Sequence, residues 1–332
     1  MRTLKFIDLF CGIGGFRIAA ENAFKKAPIK ASCVFSSDID PDSCAVYEAN
    51  FNERPFGDIT KTSEHNIPDH DLLFAGFPCQ AFSICGDRLG FKDTRGTLFS
   101  DIARILKAKK PQAFVLENVK QLRGHDEGRT LAVIISALEE NGYHVEWKIL
   151  NALNFGLPQK RERIFIVGFR KQLHFEWPSG GIAMKPLAKI LQKKAPESYY
   201  ASEKIKLSRM EKGALKNKYN GPTIWHENKG GNISVYPFSC AMRAGASYNY
   251  LLVNGERRLT EREMLRLQGF PESLVLDCGY TTARRLTGNS LPIPVAEAVI
   301  CAVVESLEAD FEKVVGHKRA KATRLPDNVI YA

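Results

Sequence analysis

Six short apolar runs limit what this chain can fold into. They lie at residues 4–9, 33–36, 72–75, 113–116, 145–150 and 163–169. Runs of this length, bounded by turn formers, read as buried strands. Between them, residues 16–24, 41–50, 98–106 and 131–138 carry apolar side chains at helical spacing. Strands that alternate with helices predict an α/β fold, an open sheet with helices on both faces. In such sheets ligands bind beyond the carboxyl ends of the strands. The residues that close the first four runs are therefore the ones to read for chemistry.

The third run, Leu72-Leu73-Phe74-Ala75, passes through Gly76, Phe77 and Pro78 to Cys79. At a strand end Cys79 has two readings, a covalent nucleophile or a free cysteine packed as a small hydrophobe. The first run enters Phe10-Cys11-Gly12-Ile13-Gly14-Gly15 ahead of a helix. These glycines let backbone approach a ligand, and the helix N-terminus adds partial positive charge. Their spacing is not Gly-x-Gly-x-x-Gly, so a dinucleotide fingerprint is absent. The second run leads to Asp38, placed for ribose hydroxyls or for a helix start, with Asp40-Pro41 able to share that second task. Residues 57–59 read as a short strand end, and Asp58 there suits an adenine amino group or a plain turn.

Glu117 closes the fourth run. A carboxyl at the end of an apolar strand is partly desolvated, which raises its pKa and lets it carry a proton near neutrality. It reads equally as a capping or ion-paired glutamate. Arg161 and Arg163 flank Glu162 at the start of the last run and would project to one side, to grip phosphates or a base carbonyl, or to form a surface cluster. Residues 80–96 are too long for an ordinary α/β connection and read as a lid.

The net charge of +10 is concentrated. Residues 171–250 hold 13 Lys/Arg against 5 Asp/Glu, interleaved with tyrosines, glycines and asparagines and without regular periodicity. That mixture suits a polyanion such as nucleic acid, or a solvated face. Thr260-Glu261-Arg262-Glu263 is a capping box at a helix start. Residues 288–290 read as a turn before an apolar helix at 295–307, which must be buried. The tail from about 316 is basic and reads as frayed. Eight cysteines without a Cys-x-x-Cys argue against a disulfide framework and a structural metal site. No stretch reads as a transmembrane span and no signal peptide is apparent, which predicts a cytoplasmic protein without a membrane partner.

In order, these motifs resemble the C5-cytosine DNA methyltransferases. The matching stretches are Asp8-Leu9-Phe10-Cys11-Gly12-Ile13-Gly14-Gly15-Phe16, Gly76-Phe77-Pro78-Cys79-Gln80-Ala81-Phe82-Ser83 and Glu117-Asn118-Val119. Gln159-Lys160-Arg161-Glu162-Arg163, Arg258-Leu259-Thr260, Gln268-Gly269-Phe270-Pro271 and Gly288-Asn289-Ser290 follow. The resemblance implies a Rossmann-like, S-adenosylmethionine-dependent methyltransferase sheet with a smaller, loop-rich target-recognition domain. It implies that Phe10, Gly12, Gly14, Gly15, Asp38, Ile39, Asp58, Ile59, Gly76, Asn289 and Ser290 hold S-adenosylmethionine. It also implies that Cys79, supported by Pro78 and Gln80, attacks C6 of a flipped-out cytosine. Glu117 would then serve N3, Arg163 the base carbonyl, and Arg161 and Ser83 the DNA phosphates. Asp38 stands where the family often has glutamate, and Cys85 where it often has a lid serine.

The expected division is a catalytic and cofactor domain at 1–170, a target-recognition domain at 171–280, a returning segment at 281–315 and a basic tail at 316–332. Arg243 and Gly245 would contact DNA from the recognition domain. The implied partner is duplex DNA, met by a monomer, with a cognate restriction endonuclease acting on the same site. RNA cytosine methylation keeps the same chemistry, but the large basic segment favours duplex DNA. A catalytically inactive DNA reader would leave the joint presence of Cys79, Glu117 and Arg163 unexplained. A nicotinamide oxidoreductase has the wrong glycine spacing.

Overall fold

The structure is a computed structural model that describes residues 3–27, 29–78 and 98–322. Its main sheet takes β1 (Thr3–Leu9), β2 (Lys30–Ser37), β3 (Leu72–Gly76), β4 (Ala113–Val119), β5 (His144–Asn151) and β7 (Glu162–Phe169). The spatial order is β2-β1-β3-β4-β7-β5. The first four strands are parallel, and β7 runs antiparallel to both β4 and β5. Helices α1 (Gly15–Lys26), α2 (Pro41–Phe51), α3 (Leu98–Lys109) and α4 (Arg129–Glu140) alternate with these strands.

Two apolar layers sandwich the sheet. One face packs Leu4, Phe6, Phe74 and Val115 against Phe16, Ala19 and Ala23 of α1 and Val299, Ile300 and Val303 of α8 (Ile293–Ala322). The other packs Ile7, Leu9, Leu73 and Leu116 against Ile102 and Leu106 of α3 and Ile134 and Leu138 of α4. Period-two alternation of large apolar residues on both faces is what a doubly covered central strand requires. α8 is held to α1 at its rim, where Glu297 accepts from Asn22 at 3.1 Å and from Lys26 at 2.5 Å.

Beyond the main sheet, β6 (Gln159–Lys160) pairs with β10 (Ser239–Cys240), and β8 (Ile224–Glu227) lies between β9 (Ile233–Tyr236) and β11 (Leu251–Val253). Helices α5 (Glu203–Gly213), α6 (Glu261–Gln268) and α7 (Tyr280–Asn289) complete the described elements. The Thr260 hydroxyl and Glu263 carboxylate form the capping box of α6, closed by left-handed Gly269 at φ 85°.

Several local expectations change. Residues 57–59 are not a strand end: Phe56 makes one bridge to Ser37, and Asp58 caps a 3-10 turn by accepting from the Thr60 N–H at 3.0 Å. Residues 288 and 289 close α7 instead of forming a free turn, because Arg161 and Gln268 satisfy the carbonyls at its end. Helix α5 sits where no periodicity was read; its lysine-rich faces hide the pattern, and only Arg209 and Gly213 of it are buried. Helix α8 continues through the start of the tail expected to fray, as far as Ala322. Against the expectation of no such span, the stretch Tyr280–Glu312 contains a window long and apolar enough to cross a membrane. Two thirds of that window is buried within the fold, so its apolarity is that of a core helix.

Candidate active site

The parallel strands all end on one side of the molecule, and β7 begins there. Along β1, β3 and β4 the register pairs Asp8 with Phe74 and Phe74 with Val115, and one layer higher Gly76 with Glu117. Asp8, Gly76 and Glu117 therefore project from the same sheet face, the one covered by α1 and α8. Arg163 enters the same layer from β7, opposite Val119.

At the β1 edge the turn after Leu9 is built from unusual backbone. Phe10 has φ 55°, costly for a residue with a Cβ, and Gly12 has φ 54°. Gly14 caps α1 at φ 85°, and a Cβ there would stand 2.3 Å from the Phe51 ring, so this position demands glycine. At Gly15 a Cβ would meet Leu291 at 3.1 Å and the Ser290 hydroxyl at 3.2 Å, which places the far end of the chain against this turn. Asn289 beside it is exposed. Asp38, at the end of β2, ties the turn down: one carboxylate oxygen accepts from the Gly12 N–H at 2.8 Å and the other from the Asp40 N–H at 2.9 Å. Burial pushes its pKa up, against the two N–H donors.

Around Asp38 two apolar side chains stand in solvent, Ile39 at 70% and Phe56 at 57% exposed. Phe56 stacks on Phe35 with ring centroids 4.6 Å apart. A carboxylate suited to hydroxyls, next to uncovered apolar groups and an open glycine turn, fits a nucleoside cofactor. Ile59, expected at the adenine edge, is only 2% exposed, so its side chain belongs to the core and only its backbone remains for a ligand. The sequence reading missed Phe56 because a lone aromatic after proline carries no pattern.

At the β3 and β4 ends lies an acid–guanidinium pair. Glu117 Oε1 is 2.8 Å from Arg163 Nε, with both side chains nearly buried. Burial raises the Glu117 pKa above the ordinary carboxyl range, while Arg163 and then Arg161 pull against that rise. Asn118 turns the other way, donating from Nδ2 to the Phe77 carbonyl at 2.9 Å. It thereby pins the backbone two residues before Cys79. Cys79, Gln80, Ser83 and the expected lid at 80–96 lie outside the described residues; Pro78 is exposed at the last described position before them. Asn118→Ala is expected to destabilise the fold by about 1 kcal/mol, the net worth of one such hydrogen bond, as read by urea unfolding.

Arg161 is turned into the core. It was expected on a phosphate, but it is 1% exposed. Its guanidinium donates to the carbonyls of Met242 at 3.0 Å, Gly288 at 2.9 Å and Ser290. Neighbouring Gln159 is fully buried, donating to the Leu267 carbonyl at 2.8 Å and accepting from the Met242 N–H at 3.3 Å. These two side chains join the catalytic sheet to the loop after β10 and to the end of α7. Arg163 alone of the two arginines faces Glu117. Arg243 and Gly245, by contrast, are exposed on that loop. Among the described residues no group of His, Cys, Asp and Glu is arranged to hold a metal ion.

Fold and site together are those of a Rossmann-like methyltransferase. Residues 4–305 match the model of the C-5 cytosine-specific DNA methylase family. The Type II methyltransferase M.NgoBI of Neisseria gonorrhoeae is 53% identical over 90% of this chain and 93% of its own length. M.HaeII of Haemophilus aegyptius is 51% identical over 95% and 97%. Among solved structures, the S. pombe Dnmt2 methyltransferase superposes with a TM-score of 0.68 at 23% identity, over 92% of this chain and 99% of that one. The chain belongs to the C-5 cytosine-specific DNA methylase family and is a DNA (cytosine-5-)-methyltransferase.

Proposed function

We propose that this enzyme methylates C5 of a flipped-out cytosine within a specific duplex DNA sequence, as the modification partner of a restriction endonuclease. The carrying observation is the buried Glu117–Arg163 pair in the layer of Gly76, on the strand that leads to Cys79. The Type II names of the relatives support the restriction–modification setting. In this reading it acts on DNA inside the cell as a monomer, because one enzyme surrounds one flipped base.

Phe10, Gly12, Gly14, Gly15, Asp38, Ile39 and Gly76 hold S-adenosylmethionine in this reading, with Asp38 at the ribose hydroxyls, the Asp58–Ile59 backbone at the adenine edge, and Asn289 and Ser290 closing the site. The bound cofactor supplies a methyl group activated on a sulfonium. The Cys79 thiolate adds to C6 of the cytosine, forming a C6–S bond. Glu117 donates a proton or hydrogen bond at N3, so the electron pair displaced by that attack collects on the ring. Arg163 holds Glu117 in place and offers its remaining N–H groups to the base carbonyl. After methylation, loss of the C5 proton returns the electron pair and expels Cys79, restoring the aromatic ring. A stacked cytosine is out of reach of such a site, so the base must flip out, at a cost of a few kcal/mol. Residues 171–280 act as the target-recognition domain, and Ser83 and the exposed Arg243 and Gly245 as DNA contacts. The local excess of eight positive charges supports this.

The test is label transfer from S-adenosylmethionine to duplex DNA and to structured RNA of mixed sequence, with Cys79→Ala as the unreactive control. Label on cytosine C5 of DNA at one recurring sequence is the expected result. Transfer to RNA and not to DNA would overturn the DNA reading. Tight DNA binding with no transfer would leave a non-catalytic reader.

A further inference from the structure

The loop at 241–250 is held from behind by arginines from three separate parts of the chain. Arg161 donates to the Met242 carbonyl at 3.0 Å. Arg284 of α7 donates to the Ala246 carbonyl. Arg209 of α5 donates to the Asn249 carbonyl at 2.9 Å, while also pairing with Glu227. These arginines are 1%, 8% and 4% exposed, so none is available to a ligand in solvent. The loop's own amides are used as well: the Arg243 N–H donates to the Tyr250 hydroxyl at 2.8 Å. α7 approaches so closely that a Cβ on Gly288 would stand 2.6 Å from the Ala244 nitrogen.

The outer side of the same loop is open. Arg243, Gly245, Ser247 and Tyr248 are exposed. The Arg243 guanidinium lies over the Tyr250 ring at 5.1 Å and makes no ion pair among the described residues. Tyr248 is fixed by α7 on three sides. Its ring stacks on Tyr280 with centroids 6.0 Å apart, the Arg284 guanidinium lies 4.5 Å from its centroid, and its hydroxyl bonds that of Thr281. One planar guanidinium thus grips both the backbone of the loop and its exposed aromatic side chain, which a lysine cannot do.

An exposed loop ordered before binding spends no free energy on being ordered during it. It also cannot relax to fit a wrong base pair, so its rigidity sharpens the difference between right and wrong sites. We propose that Arg284 is a positioning residue for DNA sequence selection: it touches no DNA, but it fixes the loop that presents Arg243 and Tyr248. This rests on the reading that the chain methylates a specific duplex sequence.

The test compares wild type, Arg284→Lys and Arg284→Met on the wild-type site and on duplexes with one base pair changed, taking kcat and KM separately. In Arg284→Met the preference for the correct site should fall about tenfold, the size of one mismatch contact. The loss should lie in KM for DNA. Arg284→Lys should recover only part of it, and S-adenosylmethionine affinity without DNA should be unchanged. An equal loss on all duplexes, with the preference intact, would mean a merely structural role and would overturn the proposal. Should Arg284→Met fail to fold, Thr281→Val and Tyr248→Phe free the same aromatic side chain more gently. Preference unchanged in both would overturn the proposal equally. If wild type itself shows no sequence preference, the reading beneath the proposal fails, and the proposal falls with it.

Discussion

Replacing Glu117 by glutamine is expected to slow methyl transfer by about a hundredfold to ten-thousandfold, the usual worth of a positioned general acid. The substitution keeps the shape of the side chain and removes the proton it can deliver. In the ionised state the carboxylate also pairs with Arg163 Nε at 2.8 Å, a charge that glutamine lacks, so the change acts on the chemistry and on the pair that holds it. The pH dependence follows from the direction of the shift. Burial raises the Glu117 pKa, so the acid form persists to higher pH than for an exposed glutamate. Activity that needs this proton is present below the raised pKa and is lost as pH rises through it. In Glu117→Gln that alkaline decline should vanish from the residual rate. Single-turnover rates across pH, with DNA and cofactor saturating, provide the measurement. A glutamine variant within tenfold of wild type would remove Glu117 from the proton-transfer role.

Asp8→Asn is expected to change how stability depends on pH more than any other single substitution at this end of the sheet. Asp8 is completely buried on β1; the Arg17 N–H is directed at its carboxyl without closing a well-formed hydrogen bond to either oxygen. Burial lifts its pKa from 3.8 to about 8, opposed by the charge and backbone N–H of Arg17 and assisted by the charge of Asp38. Below pH about 4 the folded and unfolded chains both hold this proton. Between about 4 and 8 the unfolded chain releases it and the fold retains it, so stability falls with rising pH. Above 8 the full loss remains, on the order of 5 kcal/mol. The asparagine variant has no such titration. Its stability relative to wild type should rise steadily from about pH 4 to pH 8 and then level off, whatever its offset at acid pH. Urea unfolding at several pH values measures this directly. Parallel curves for the two proteins would show that Asp8 titrates normally.

Both residues bear on how much could be read in advance. The alternation of short apolar runs with helical periodicity was legible because buried strands and amphipathic helices differ in period, and period survives in one dimension. Phe10 to Gly15, Asp38, Gly76, Glu117 and Arg163 could be singled out because each stands at one end of an apolar run, and the structure gathers them at one end of the sheet. Arg161 could not be separated from Arg163 in the same way. The two are one residue apart and identical in type, and only the approach of Met242, Gly288 and Ser290 turns one of them inward. Asp8 opens a stretch that matches the family, but nothing in the sequence foretells its burial, which depends on α1 crossing above it.

The sequence by itself determined the class of fold, the end of the sheet that carries chemistry and the residue types found there. Those follow from local patterns of hydrophobicity and from turn formers at the strand ends. The tertiary structure decided the rest: that β7 enters between β4 and β5 in the opposite direction, that Asn118 holds the backbone ahead of Cys79, and that three arginines from distant elements clamp one exposed loop. Such contacts join residues 38 to 81 positions apart. A guanidinium has no preference for one carbonyl over another until packing brings a particular one within reach and removes the water that would otherwise compete for it.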